Sequence, residues 1–248
     1  MSNIVNYGTY EIDAADQEHE DLSRSGGQFM RLEVGRNVVR FLPPPAGRST
    51  PFVTTFQHFL NLPGVPDAIV FNCPRLMIRR PCPACAKGDK LKASGNPRDQ
   101  EAARDFWASR RVFACVIDRQ DEDAGVKILG FGKMIHEALV AIRRDEDAGG
   151  DFTHPVDGFD IVIERTGSGK NDTRYTVRAA RSSSPLGNDE WIDQQPNLRH
   201  LAKVPTLDEI RAMVQGGDDG AGGGATAQDD VESVHDVGSF DDDDDIPF

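Results

Sequence analysis

The sequence predicts a mainly β protein with some α on three observations. It holds several short runs of strand-like residues, an interposed helix-like stretch, and a cysteine- and proline-rich segment that follows neither period. Residues 29–34 and 37–42 read as strands around a Gly35-Arg36 turn, closed by Pro43, Pro44 and Pro45. Residues 52–60 alternate, which places Phe52, Thr54, Phe56, His58 and Leu60 on one face. From 61 to 95 the regularity is lost: Pro63, Pro66, Pro74, Pro81 and Pro83 fall among three cysteines. Asn96 then opens a helix with Pro97 at its first position, running to about Ser109. Residues 111–118 and 126–131 are strands joined by a loop at 120–125, and 134–144 form an amphipathic helix carrying Ile135, Leu139 and Ile142. Residues 158–165 and 173–180 make a hairpin about Gly167-Ser168-Gly169, and Thr206 with Glu209 starts a short helix at 206–214 as a capping box. This order suits a five-stranded Greek-key barrel of the OB type with a metal-stapled subdomain.

The net charge of −13 conceals a division along the chain. Residues 1–21 hold six acids and residues 216–248 hold eleven, neither with a lysine or arginine. Residues 22–215 hold the remaining 24 acids against all 28 bases, so the body is basic and both ends are acidic. The expected organisation is an acidic arm at 1–21, a core at 22–215 with its metal subdomain at about 58–95, and a flexible acidic tail at 216–248. No apolar run is long enough to span a membrane, and residues 1–21 lack the basic-then-apolar pattern of a secretory leader. A cytoplasmic location is expected, where cysteines serve as metal ligands or buried thiols rather than disulfides.

His58, Cys73, Cys82 and Cys85 are separated by 14, 8 and 2 residues. The Cys82-Pro83-Ala84-Cys85 knuckle lets two thiolates reach one ion, and a cysteine and a histidine from preceding segments complete a tetrahedron suited to one structural Zn²⁺. The competing reading, buried thiols with His58 merely facing the core, accounts poorly for the prolines around them. Cys115 lies in an apolar strand and reads as a buried thiol, or as the reserve ligand if His58 does not serve. A zinc deaminase is excluded: Pro81-Cys82-Pro83-Ala84-Cys85 matches half its signature, but none of the six histidines has glutamate two residues later. Four protein ligands would also leave no position for an activated water.

Basic residues interleave with aromatics in two stretches, the mixture that binds single-stranded nucleic acid through phosphates and stacked bases. Arg75, Arg79, Arg80 and Lys87 follow Phe71 and run on to Lys90 and Lys92; Arg104, Trp107, Arg110 and Arg111 accompany Phe106 and Phe113. Arg75, Arg79, Arg80, Lys87, Arg104, Arg110 and Arg111, with Trp107, are the candidate contacts. Arg165, Lys170, Arg174, Tyr175, Arg178 and Arg181 form a weaker third group, while Phe56, Phe113 and Phe159 read as core.

The chain ends in Asp241, Asp242, Asp243, Asp244 and Asp245 followed by Ile246, Pro247 and Phe248. Solubility does not require the two hydrophobic residues. They can fill small pockets while the carboxylates meet a basic rim, which makes the tip a partner anchor.

That tip resembles the ending of bacterial single-stranded DNA-binding proteins, whose tip binds replication and repair enzymes. The body resembles gene-32-type helix-destabilising proteins of T-even-like phages. The resemblance rests on Phe29-Met30-Arg31-Leu32, the run from Gly35 to Pro44, the His58/Cys73/Cys82/Cys85 order, Arg110-Arg111-Val112-Phe113-Ala114 and Asp160-Ile161-Val162-Ile163 with its glycine-rich turn, over about residues 29–187. It implies an OB fold with a zinc subdomain, a single-strand cleft between them and an acidic tail. It also implies a non-enzymatic protein that coats DNA in phage replication, recombination and repair in the host cytoplasm. Its expected partners are polymerase, helicase or primase, and recombination factors. Members that bind cooperatively use a basic amino-terminal arm; this arm is acidic, which argues for a monomer or weak self-association. A zinc-containing protein-interaction adaptor with incidental nucleic-acid binding is the alternative. A nuclease would need a carboxylate–histidine metal centre that the sequence does not display.

Overall fold

The computed structural model describes residues 29–61, 68–145, 147, 150–167, 169 and 172–215. The arm at 1–21, the tail at 216–248 with its tip, Lys170, and Ser168 of the hairpin turn lie outside the described residues. The strands are β1 (Phe29–Met30), β2 (Gly35–Phe41), β3 (Val53–Leu60), β4 (Ile69–Asn72), β5 (Ser109–Asp118), β6 (Val126–Phe131), β7 (Phe159–Thr166) and β8 (Arg174–Ser183). The helices are α1 (Pro74–Ile78), α2 (Pro83–Ala93), α3 (Pro97–Ala102), α4 (Lys133–Arg144), α5 (Glu190–Asp193) and α6 (Leu207–Gln215), with 3-10 turns at Ala103–Phe106, Glu122–Ala124 and Leu198–Ala202.

All eight strands join one mixed sheet, through which β6-β5-β2-β7-β8 run as neighbours. Taken in chain order these are the third, second, first, fourth and fifth strands of an OB barrel, with α4 between the third and fourth. The connection between its first and second strands is the long one. It carries β3, β4 and α1 to α3, and with them the cysteine-rich segment.

β5 explains how one sheet serves two cores. Its alternate residues Val112, Ala114 and Val116 enter the barrel interior with Val39, Phe41, Phe131, Ile135 and Leu139. Phe113, Cys115 and Ile117 face the other way and pack with Val53, Leu186, Trp191 and Leu198. A continuous apolar run is what a strand buried on both sides requires. Inside the barrel Phe41 meets Phe52, Phe131 and Phe152 edge-on at 6.2, 6.2 and 5.5 Å.

Residues 52–60 keep the expected alternation, with Phe52, Thr54, Phe56, His58 and Leu60 on one face, but the buried side changes along the strand. Val53 and Thr55 are buried and Thr54 is exposed, whereas further along His58 and Leu60 are the buried pair. The strand is shared: its first half pairs with β5 and buries Val53 beneath the segment at 186–202, while its second half pairs with β4 and turns His58 and Leu60 into a third cluster around the cysteines. The expected strand at 29–34 is also shorter, with Phe29–Met30 pairing parallel to β6. Residues 61–95 contain more helix than their prolines suggest, because Pro74 and Pro83 each occupy a first helical turn instead of breaking one. Asn96 does cap the next helix, its side chain accepting from the Arg98 amide. Thr206 and Glu209 exchange the reciprocal bonds of a capping box, which hold the Glu209 carboxyl below its ordinary range.

Arg40 is fully buried beside the barrel, donating from Nη1 to the Phe152 and Phe159 carbonyls and from Nη2 to that of His154. Gly158 is the cradle for this guanidinium: a Cβ there would lie 2.4 Å from the His154 carbonyl oxygen and 2.6 Å from Arg40 Nη2. Gly158→Ala is therefore expected to cost about 2 kcal/mol by overpacking, read as a lower urea midpoint at unchanged slope. A midpoint equal to that of the parent would mean the cradle is not tight.

Candidate metal centre and nucleic-acid interface

Four buried side chains converge where β3, α1 and α2 meet. His58 projects from β3, Cys73 is the N-cap residue of α1, Cys82 is that of α2, and Cys85 lies in the first turn of α2. Their ligand atoms all lie within 4.8 Å of one another. His58 Nε2 is 3.3 Å from Cys82 Sγ and 3.7 Å from Cys85 Sγ, and the Cys73 and Cys85 sulfurs are 3.5 Å apart. A tetrahedral zinc ion with bonds of about 2.3 Å to sulfur and 2.0–2.1 Å to nitrogen has edges of roughly 3.5–3.8 Å, so the cluster fits one ion. The imidazole would ligate through Nε2, and its ring stacks on Phe71 at 4.9 Å. Cys115 belongs to the opposite face of β5, where burial pushes its thiol up to about 12.

The electrostatics of the cluster also suit a cation. Burial alone pulls His58 down, but its hydrogen bonds to Cys73 and Cys82 outweigh that and hold it up at about 9. Hydrogen bonds from Cys73 and Cys85 push the Cys82 thiol down, while those from Cys73 and Cys82 drive that of Cys85 up. Three sulfurs this close cannot all ionise without a positive charge among them. A dication supplies that charge, and the helix N-termini at Cys73 and Cys82 assist.

The candidate nucleic-acid residues divide by position. Arg75, Arg79, Arg80 and Lys87 are exposed on α1, α2 and the turn between them. Arg75 is tied to Asp89 at 2.7 Å, which raises its guanidinium further. Arg104 is exposed on the 3-10 turn, beside Pro97, Gln100 and Glu101. Trp107 ends that turn against α2, where a Cβ on Gly88 would lie 2.8 Å from the indole nitrogen, and Lys92 sits 5.2 Å over its ring. Lys87 covers Phe106 in the same way at 4.7 Å.

Arg110 and Arg111 are neighbours on β5 and so point to opposite faces. Arg111 is buried with its guanidinium 5.1 Å over Phe59. Arg110 pairs across to Phe56 and occupies the face that the barrel interior and the metal cluster share. On that face Phe52 packs on the barrel core and Phe56 on the metal cluster, about 13 Å apart along the strand, with exposed Thr54 between them. The two cores thus flank a notch whose floor is Thr54, Phe56 and Arg110. On its barrel side stands His136, edge-on to Phe52 at 5.2 Å, its imidazole held below its ordinary range by burial and by the charge of Arg110. Arg110 Nε and Nη2 are buried with no hydrogen-bond partner among the described residues, and Glu137 lies 3.9 Å away.

A family model described as gp32 DNA-binding protein-like matches residues 33–212. The chain belongs to this DNA-binding family. The match takes in the barrel, the four metal-ligand candidates and all eight nucleic-acid candidates. Among curated proteins none matches the chain. The residues that sequence reasoning missed are Thr54, Phe56 and His136 of the notch.

Proposed function

We propose that the protein coats single-stranded DNA in phage replication, recombination and repair, protecting strands and melting hairpins without a catalytic group. The observation that carries this reading is the notch, a strip of sheet between two cores with the half-buried Phe56 ring and an Arg110 guanidinium whose Nε and Nη2 lack a hydrogen-bond partner among the described residues. Unpaired bases can stack on such a ring, and a phosphate can meet Arg110 and the exposed bases of α1 and α2. One structural zinc ion at His58, Cys73, Cys82 and Cys85 holds the metal-side lip.

In the same reading, residues 1–21 and 216–248 are acidic extensions of the folded core. Asp241 to Phe248 dock polymerase, helicase or primase, or recombination factors, and compete weakly for the basic groove. The protein acts in the host cytoplasm as a monomer or weakly self-associating species. The deciding experiment titrates oligo(dT) against the full chain and against a chain ending before Ser239. Affinity should fall steeply with salt, with a slope of about −0.7 per phosphate neutralised, and should persist or rise on truncation while partner pull-down is lost. Equal affinity for single and double strands would sink the reading.

A further inference from the structure

The back of the β3–β5 ribbon, opposite the notch, is crossed by a strap of chain. Leu186, Trp191 and Leu198 pack against Val53, Phe113 and Cys115 on that face. A few residues later Ile210 of α6, fully buried, inserts among Leu60, Phe71, Cys73, Cys82 and Cys85. One stretch therefore touches both modules, and at 201–203 a single side chain hydrogen-bonds it to the metal module. Asn72, paired with Gln57 at the end of β4 and buried, donates from Nδ2 to the carbonyls of Leu201 at 2.6 Å and Lys203 at 2.7 Å. Asn72 immediately precedes the ligand candidate Cys73.

We propose that Asn72 is a positioning residue for single-strand binding, the catch that fixes the metal module against the barrel from behind and so sets the width of the notch in front. The proposal rests on the reading of the notch as the strand site. The ribbon alone is a two-strand hinge between the modules, and twisted two-stranded ribbons bend readily. The strap closes the hinge into a triangle: barrel, metal module and the 198–203 crossing. Both amide hydrogens of Asn72 are used on one turn of the strap, so its removal frees two part-buried carbonyls while leaving every ligand candidate and every notch residue in place.

The test uses the full, zinc-loaded chain and two variants, Asn72→Ala and Asn72→Asp. The aspartate keeps the shape and lacks the donor. Both should bind oligo(dT) about tenfold more weakly, with a shallower dependence of log affinity on log salt because one lip no longer reaches the backbone. Amide exchange at 198–203 should accelerate, and the zinc-to-protein ratio should stay at the parent value. If the variants lose thermal stability alone, with parental affinity and salt slope, Asn72 is structural and the proposal falls. It falls equally if Asn72→Asp behaves as the parent, or if the variants lose zinc. Failure of the parent itself to bind oligo(dT) would instead remove the functional reading of the notch, and with it the positioning role.

Discussion

Replacing Cys85 with serine is expected to abolish metal binding and unfold the module around it, with the zinc-to-protein ratio falling from about one to near zero. The large buried apolar side chains of that module are Leu60, Phe71 and Ile210. So small a core cannot hold these elements, while structural zinc sites supply on the order of 10–16 kcal/mol. Serine is nearly isosteric with cysteine, so the loss would report ligation and not packing. Circular dichroism should show lost helix, and amide exchange should accelerate over β4, α1, α2 and α6 but not in the strands around Phe41. Cys115→Ser is the control, because its sulfur lies on the far face of β5 and its loss should leave the ratio unchanged. A Cys85→Ser protein that kept one zinc would overturn the four-ligand site.

The legible parts of the fold are those that local chemistry decides. Asn96 before Pro97 and Thr206 before Glu209 specify helix starts within four residues, and both caps form as read. The 126–131 strand and the Ile135/Leu139 face are likewise written in one period each. The metal cluster was legible because its ligand types have few other uses at that spacing. α2 was not, since its buried face is Ala84, Cys85 and Gly88, small residues that leave no apolar stripe to read. The buried side of 52–60 was hidden for a different reason: a strand shared by two cores buries one face for the first and the other for the second, and its alternation does not say which is covered. Arg110 and Arg111 mark the same boundary. Their alternation was certain from the sequence, but which of the two faces the notch depends on what covers the other side of β5, here the distant strap of Leu186, Trp191 and Leu198.

Arg110→Ala is accordingly expected to weaken oligo(dT) binding about thirtyfold, the loss of roughly 2 kcal/mol for a charge-assisted hydrogen bond at a partly buried site. Its salt slope should become shallower by about 0.7, the signature of one phosphate contact removed. Stability should change little or rise, because Nε and Nη2 are buried without a hydrogen-bond partner among the described residues. Arg111→Ala should do the reverse, lowering stability through lost packing on Phe59 with the smaller effect on affinity. Glu137→Gln offers the sharpest discrimination. If Glu137 merely screens Arg110 at 3.9 Å, neutralising it should raise affinity by no more than a few-fold, since the carboxylate is largely exposed. A strand that binds elsewhere would leave both Arg110→Ala and Glu137→Gln at parental affinity. Opposite signs for these two variants would place the backbone of the bound strand against the Arg110 side of β5.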